Sequence, residues 1–149
     1  MTQSTKEHWN TIYQNKEANQ VSWFQKKPTI SIDFINNLSI EKTASIIDVG
    51  GGDSLLVDYL LEEGYTNITV LDISEKAIAK AKDRLGNKAE KVKWIVSDIL
   101  DFKSENNFDV WHDRAAFHFI TTQKGIENYI KGLDKYVTSN GSVILGTFS

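Results

Sequence analysis

Residues 45–54 read "SIIDVGGGDS": a β-branched apolar run with an acidic residue inside it, then three successive glycines, then a helical pattern. Few arrangements suit that string. Val and Ile favour an extended, pleated backbone. Glycine without a Cβ allows positive φ and close approach of the main chain to something else. The spacing predicts a helix over 54–63, closed by Gly64, so the stretch forms one strand–turn–helix unit. The rhythm then repeats. "NITVLD" is a second strand, and Ser74 caps the helix that follows, with Ile73 and Ile78 at the staple positions and Gly86 at its stop. "VKWIVSD" and "NFDVWHD" are a third and fourth strand, joined by the polar connection "FKSENN". From Thr122, an apolar face of Ile126, Tyr129, Ile130, Leu133 and Val137 marks a further helix, followed by an Asn140-Gly141 turn and the strand "SVILGTF". Strands alternating with helices require crossover connections, hence an α/β fold: a Rossmann-like, doubly wound, mainly parallel sheet with helices on both faces.

The chain has 149 residues, 40% of them apolar and 25% charged, near the usual size of one domain with a real core. Two helices precede the sheet region, one with Trp9, Ile12 and Tyr13 on one side and one entered through Pro28. The expected organisation is therefore a helical cap over residues 1–40 and an α/β domain over 41–149. A net charge of −3 supplies no basic field for a nucleic-acid backbone, so no nucleic-acid partner is expected. No window is apolar for long enough to span a bilayer. Zero cysteines exclude a disulfide framework and a thiol nucleophile and fit a cytoplasmic setting. Three scattered histidines without an HExxH arrangement give no metal site.

In an open parallel sheet, ligands bind beyond the carboxyl ends of the strands where strand order reverses, and the first strand–helix turn lies there. Gly50, Gly51 and Gly52 occupy that turn. A dinucleotide fingerprint G-x-G-x-x-G would place its third glycine at Leu55, and Asp48 and Asp53 bracket the turn with negative charge that repels a pyrophosphate and attracts a cation. A nicotinamide-dependent oxidoreductase is thus a weaker alternative. Asp72, ending the second strand, has the acceptor geometry for two ribose hydroxyls.

"DVGGGDS" resembles the first motif of the class I S-adenosylmethionine-dependent methyltransferases, with Ser54 in place of the motif's last glycine. The resemblance extends over residues 46–148 and includes "FDVWHDRAAFHFI". It implies methyl transfer from S-adenosylmethionine, leaving S-adenosylhomocysteine, to a small-molecule or protein side-chain acceptor. It further implies that Gly50 to Gly52 pass under the methionine part, that Asp48 lies near its amino group, and that Asp98 accepts from the adenine amine with Ile99 against the ring. Asp53, Ile73 and Ser97 complete the cofactor set, with Asp72 on the ribose. His112, Asp113, Arg114 and His118, at and after the fourth strand, are candidates for substrate contact: either histidine as a base, Asp113 to orient an amine, Arg114 to hold an anion. Trp9, Tyr13 and Trp23 are candidates for a lid like the leader of thiopurine-methyltransferase-like members. A catalytically silent binding subunit is the alternative from another class. Family members continue beyond the fifth strand, so the expectation is a sheet that stops short and an apolar fifth-strand edge open to self-association.

Overall fold

The computed structural model describes residues 29–52, 54–113, 117 and 120–145. Its elements are α1 (Thr29–Asn37), β1 (Ile46–Val49), α2 (Leu56–Glu62), β2 (Ile68–Asp72), α3 (Glu75–Leu85), β3 (Val92–Val96), β4 (Phe108–Asp113), α4 (Gln123–Tyr136) and β5 (Val137–Leu145), with short 3-10 turns at Gly86–Lys91 and Ile99–Asp101. The five strands are ordered β3-β2-β1-β4-β5 and every pairing is parallel. The chain moves outward from β1 to β3, then crosses back to place β4 on the other side of β1. Strand order therefore reverses between β1 and β4, and the glycine turn follows β1 at that point.

The alternation of side chains along each strand divides the core in two. Ile46, Ile68, Val70, Val92, Val110 and Ile144 face one layer, covered by Ile32 and Ile35 of α1 and Leu56, Val57 and Leu60 of α2. Ile47, Val49, Leu71, Trp111, Val143 and Leu145 face the other, covered by Tyr129, Leu133 and Tyr136 of α4 together with Phe102 and Phe108. β1 is buried along its whole length, as a central parallel strand with both faces covered requires.

Local signals hold where the chemistry is short-ranged. Ser74 caps α3 by accepting from the Ala77 N–H, Thr122 caps α4 by accepting from Gly125, and Gly86 ends α3 at φ 59°. α2 begins at Leu56 rather than at residue 54, because Ser54 Oγ takes the Leu56 N–H at 3.0 Å before the helix starts. The expected Asn140-Gly141 turn is corrected: β5 starts at Val137 and runs through both residues. The extra length is absorbed by a register shift, Phe108 opposing Val137 and Val110 opposing Ser142. A Cβ on Gly141 would lie 2.6 Å from Val137 Cγ1, so glycine there permits a close approach within the bulge rather than a turn.

The α4 layer contains a hydrogen-bonded chain. Trp111 Nε1 donates to the Tyr129 hydroxyl at 2.9 Å, which donates to Asp113 Oδ2 at 2.5 Å, and the Phe117 N–H donates to the same oxygen. Burial first, and the Asp113 carboxylate second, hold the Tyr129 phenol well above its ordinary value of 10.0. The neutral phenol is the form the fold favours, so its contribution is complete below pH 10 and is lost as pH rises beyond it and the unfolded chain ionises. Tyr129→Phe is expected to lower stability by about 1–3 kcal/mol at neutral pH, since it leaves the buried Trp111 indole N–H without its acceptor and takes one of its donors from the buried Asp113 carboxylate. Urea unfolding across pH 7 to 11 checks this, and the variant should also show a shallower alkaline decline than the parent.

Candidate functional site

Each glycine of the turn has its own structural reason. Gly50 has φ 73°, a backbone conformation that side chains disfavour. Gly51 packs so closely on the Asp48 carboxylate that a Cβ would overlap Asp48 Oδ2. A Cβ on Gly52 would come within 2.8 Å of both Ala77 Cβ and Asp72 Oδ2. The turn is consequently bare main chain pressed between two carboxylates.

Asp72, at the end of β2, fastens the turn. Its Oδ2 accepts from the Gly52 N–H at 2.9 Å and its Oδ1 from the Ser74 N–H at 2.8 Å. Each oxygen keeps a second lone pair, and Asp72 lines the adjoining crevice. Asp98 follows β3. Its Oδ1 accepts from Leu100 N–H at 2.9 Å, which starts the 3-10 turn, and its Oδ2 has no protein partner among the described residues.

Gly50, Asp72 and Asp98 share one cavity of about 530 Å³, lined also by Leu71, Ile73, Ser97, Ile99, Leu100 and the segment Ile120 to Thr122. Ile73 is 69% exposed and Leu100 42% exposed, unusual for large apolar side chains and consistent with a slot for a flat apolar ligand rimmed by carboxylates. A second cavity, bounded by Leu61, Glu62, Tyr65, Lys88 and Lys91, lies at the opposite end of the strands, away from the glycines.

Of the candidate cofactor residues, Gly50, Asp72, Ile73, Ser97, Asp98 and Ile99 come together in the crevice. Gly51 and Gly52, next to Gly50 in the chain, are buried and pack against Asp48 and Asp72 rather than lining the crevice. Asp48 itself is buried, with Oδ1 at 2.9 Å from His112 Nδ1 and Oδ2 without a hydrogen-bond partner among the described residues. That orphaned acceptor under a turn with no Cβ is what a positively charged donor would complete. His112 is 1% exposed and Asp113 0% exposed, the first on the α1 side and the second on the α4 side of β4. As placed, neither presents an atom to the crevice. Asp53, Arg114, His118, Trp9, Tyr13 and Trp23 lie outside the described residues.

Leu100 and Ile120 to Thr122 line the crevice without having been singled out from sequence. Leu100 is aimed by the Asp98 cap, a local signal that was readable. Ile120 to Thr122 arrive through the connection after β4, whose path no local pattern dictates.

Residues 46–141 match the family described as "Methyltransferase domain". The chain is 29% identical over 109 residues to malonyl-[acyl-carrier protein] O-methyltransferase 2 of Ilyobacter polytropus, covering 72% of this chain and 40% of that protein. It is 25% identical over 154 residues to human EEF1A lysine methyltransferase 2, covering 94% of this chain and 63% of that one. The chain thus spans less than two thirds of the length of these relatives. Among solved structures, the glycopeptide N-methyltransferase MtfA superposes with a TM-score of 0.67 at 13% identity over 78% of this chain and 51% of its own. S-adenosylmethionine-bound CalS10, an amino pentose methyltransferase from Micromonospora echinaspora, gives 0.67 at 17% identity over 87% of this chain and 54% of its own. These two likenesses are of fold.

Gly51→Ala is expected to destabilise by about 1–3 kcal/mol, because the new methyl must displace a buried carboxylate. Gly132→Ala, in α4 where a Cβ meets nothing within 4 Å, is expected to stabilise by about 0.5–1 kcal/mol. Paired thermal melts of the two variants check both signs.

Proposed function

The chain belongs to the class I S-adenosylmethionine-dependent methyltransferases, and from that premise we propose that it takes part in methyl transfer to a small-molecule or protein side-chain acceptor, using the crevice at the glycine turn. The observation that carries the reading is the convergence of Asp72, Asp98 and the exposed apolar groups Ile73 and Leu100 on one cavity at the reversal of strand order.

S-adenosylmethionine supplies, when bound, a methyl group on a positively charged sulfur. The residues of this chain fit its parts by chemistry. Gly50 to Gly52 let the ligand meet main chain, Asp48 and the orphaned Oδ2 suit an ammonium, and Asp72 has lone pairs for ribose hydroxyls. Asp98 Oδ2 is an acceptor for an exocyclic amine, with Ile73, Ile99 and Leu100 as apolar walls for the ring. Held in alignment, a donor and an acceptor gain on the order of 7–11 kcal/mol toward the barrier from proximity alone, so positioning is the protein's main task. With His112 and Asp113 occupied in internal hydrogen bonds, Arg114 and His118 are the acceptor-side candidates we favour. The lid role of Trp9, Tyr13 and Trp23 is proposed from their aromatic character and position ahead of α1.

The named relatives methylate a carrier-protein-bound acid and a lysine of EEF1A, which supports the acceptor classes stated and selects neither. No described helix is long and apolar enough to cross a membrane, and the lack of cysteine favours the cytoplasm. β5 is an edge strand of the sheet, where a second copy or further chain could pair.

Isothermal calorimetry with S-adenosylhomocysteine tests the core of the reading. Binding by the parent chain is expected, with Asp98→Ala weaker by about tenfold, the worth of roughly one hydrogen bond to a charged group. A parent chain that gives no heat at millimolar ligand overturns it.

A further inference from the structure

Three polar side chains interrupt the layer between the sheet and α1, which is otherwise filled by Ile32, Ile35, Ile46, Val110 and Ile144. Asp48 and His112 sit opposite one another in register on β1 and β4, each 1% exposed. Asp48 Oδ1 meets His112 Nδ1 at 2.9 Å, and His112 Nε2 meets Ser31 Oγ, in the first turn of α1, at 2.8 Å. A carboxylate only accepts, so Nδ1 carries its hydrogen toward Asp48, and in the neutral ring Nε2 accepts from the Ser31 hydroxyl.

The chain of contacts is complete at its outer end and open at its inner one. Asp48 Oδ2 is buried, has no partner among the described residues, and lies against Gly51, next to Gly50 in the crevice wall. Apolar side chains would fill this layer without the penalty of burying a half-satisfied polar network. The open acceptor points to a donor that arrives with a ligand.

Resting on the cofactor reading above, we propose that Asp48, His112 and Ser31 form a relay that couples binding of the cofactor's ammonium-bearing end to the seating of α1, with His112 and Ser31 as positioning residues. A cationic donor at Oδ2, direct or through one water, completes the carboxylate and draws electron density from Oδ1. The hydrogen bond to His112 changes in response, and the polarised ring passes that change to Ser31. Coupling of this kind is reciprocal: what the ligand does to the α1 contact, the α1 contact does to ligand affinity, by the same factor. Ser31 is not among the residues that line the crevice, and His112 is the side chain that links it to Asp48.

Two probes separate this from general support of the fold. S-adenosylhomocysteine carries the ammonium, while 5′-methylthioadenosine has the same nucleoside and thioether without it. In the full chain, Ser31→Ala is expected to weaken binding of the first by about five- to tenfold, a usual size for allosteric coupling, and to leave the second within about twofold. α1 stays packed in that variant through Ile32, Ile35 and the Tyr65 hydroxyl, which donates to Asn36 Oδ1 at 3.0 Å. His112→Asn keeps an amide donor for Asp48 but falls short of Ser31, and is expected to show the same selective loss. In the parent chain, the ¹⁵N resonance of His112 Nε2 is expected to move on adding S-adenosylhomocysteine and to stay in place with 5′-methylthioadenosine. Equal losses for both ligands, or no loss in Ser31→Ala, overturn the relay while the cofactor reading stands. A parent chain that binds neither compound overturns the cofactor reading, and the relay with it.

Discussion

Beneath the turn that follows β1, the Asp48 carboxylate is packed against Gly51 with no room for a side chain between them. Much of the site follows from that contact. A Cβ-free turn is the way the chain passes over a buried carboxylate without distorting β1, and the same absence of side chains exposes main chain to whatever occupies the crevice. Asp72 completes the clamp from the neighbouring strand by taking the Gly52 and Ser74 N–H groups on its two oxygens. One carboxylate thereby joins the glycine turn to the cap of α3, and the same Asp72 lines the cavity.

β4 distributes polar groups to both faces of the sheet at its carboxyl end. His112 points to the α1 layer and pairs with Asp48, while Asp113 points to the α4 layer and pairs with Tyr129. Successive residues of a strand must face opposite ways, so the dipeptide reaches two separate networks. Asp113 also accepts from the Phe117 N–H, and Ile120 to Thr122, further along the chain, line the crevice. The polar side chains at the carboxyl end of the fourth strand are thus taken up in internal hydrogen bonds.

The cavity lining combines the carboxylates of Asp72 and Asp98 with the exposed aliphatic groups of Ile73 and Leu100. A purely structural surface has little reason to leave Ile73 and Leu100 in water beside Asp72 and Asp98. A nucleoside has the complementary character, polar at the sugar and at the base edge and apolar on the ring faces. The residues that form this cavity all fall within the stretch that matches the methyltransferase domain family.

Much of this was readable in the chain itself. The alternating strands and helices, the glycine turn at the end of β1, the Ser74 cap and the aspartates ending successive strands are short-range signals, written in β-branched runs, Cβ-free residues and capping side chains that act on their near neighbours. The sequence also marked Gly50, Asp72, Ile73, Ser97, Asp98 and Ile99, which share one cavity. It misplaced a turn at Asn140-Gly141, because whether Asn-Gly reverses the chain or sits in a bulge depends on the partner strand, here β4. Nor did it reveal that His112 and Asp113 are inward-facing or that Ser31 completes a buried chain with Asp48, 81 residues separating Ser31 from His112. Those facts depend on which strands become neighbours and which helix covers which face, and that is decided by long-range packing of the whole sheet rather than by any residue's local preference.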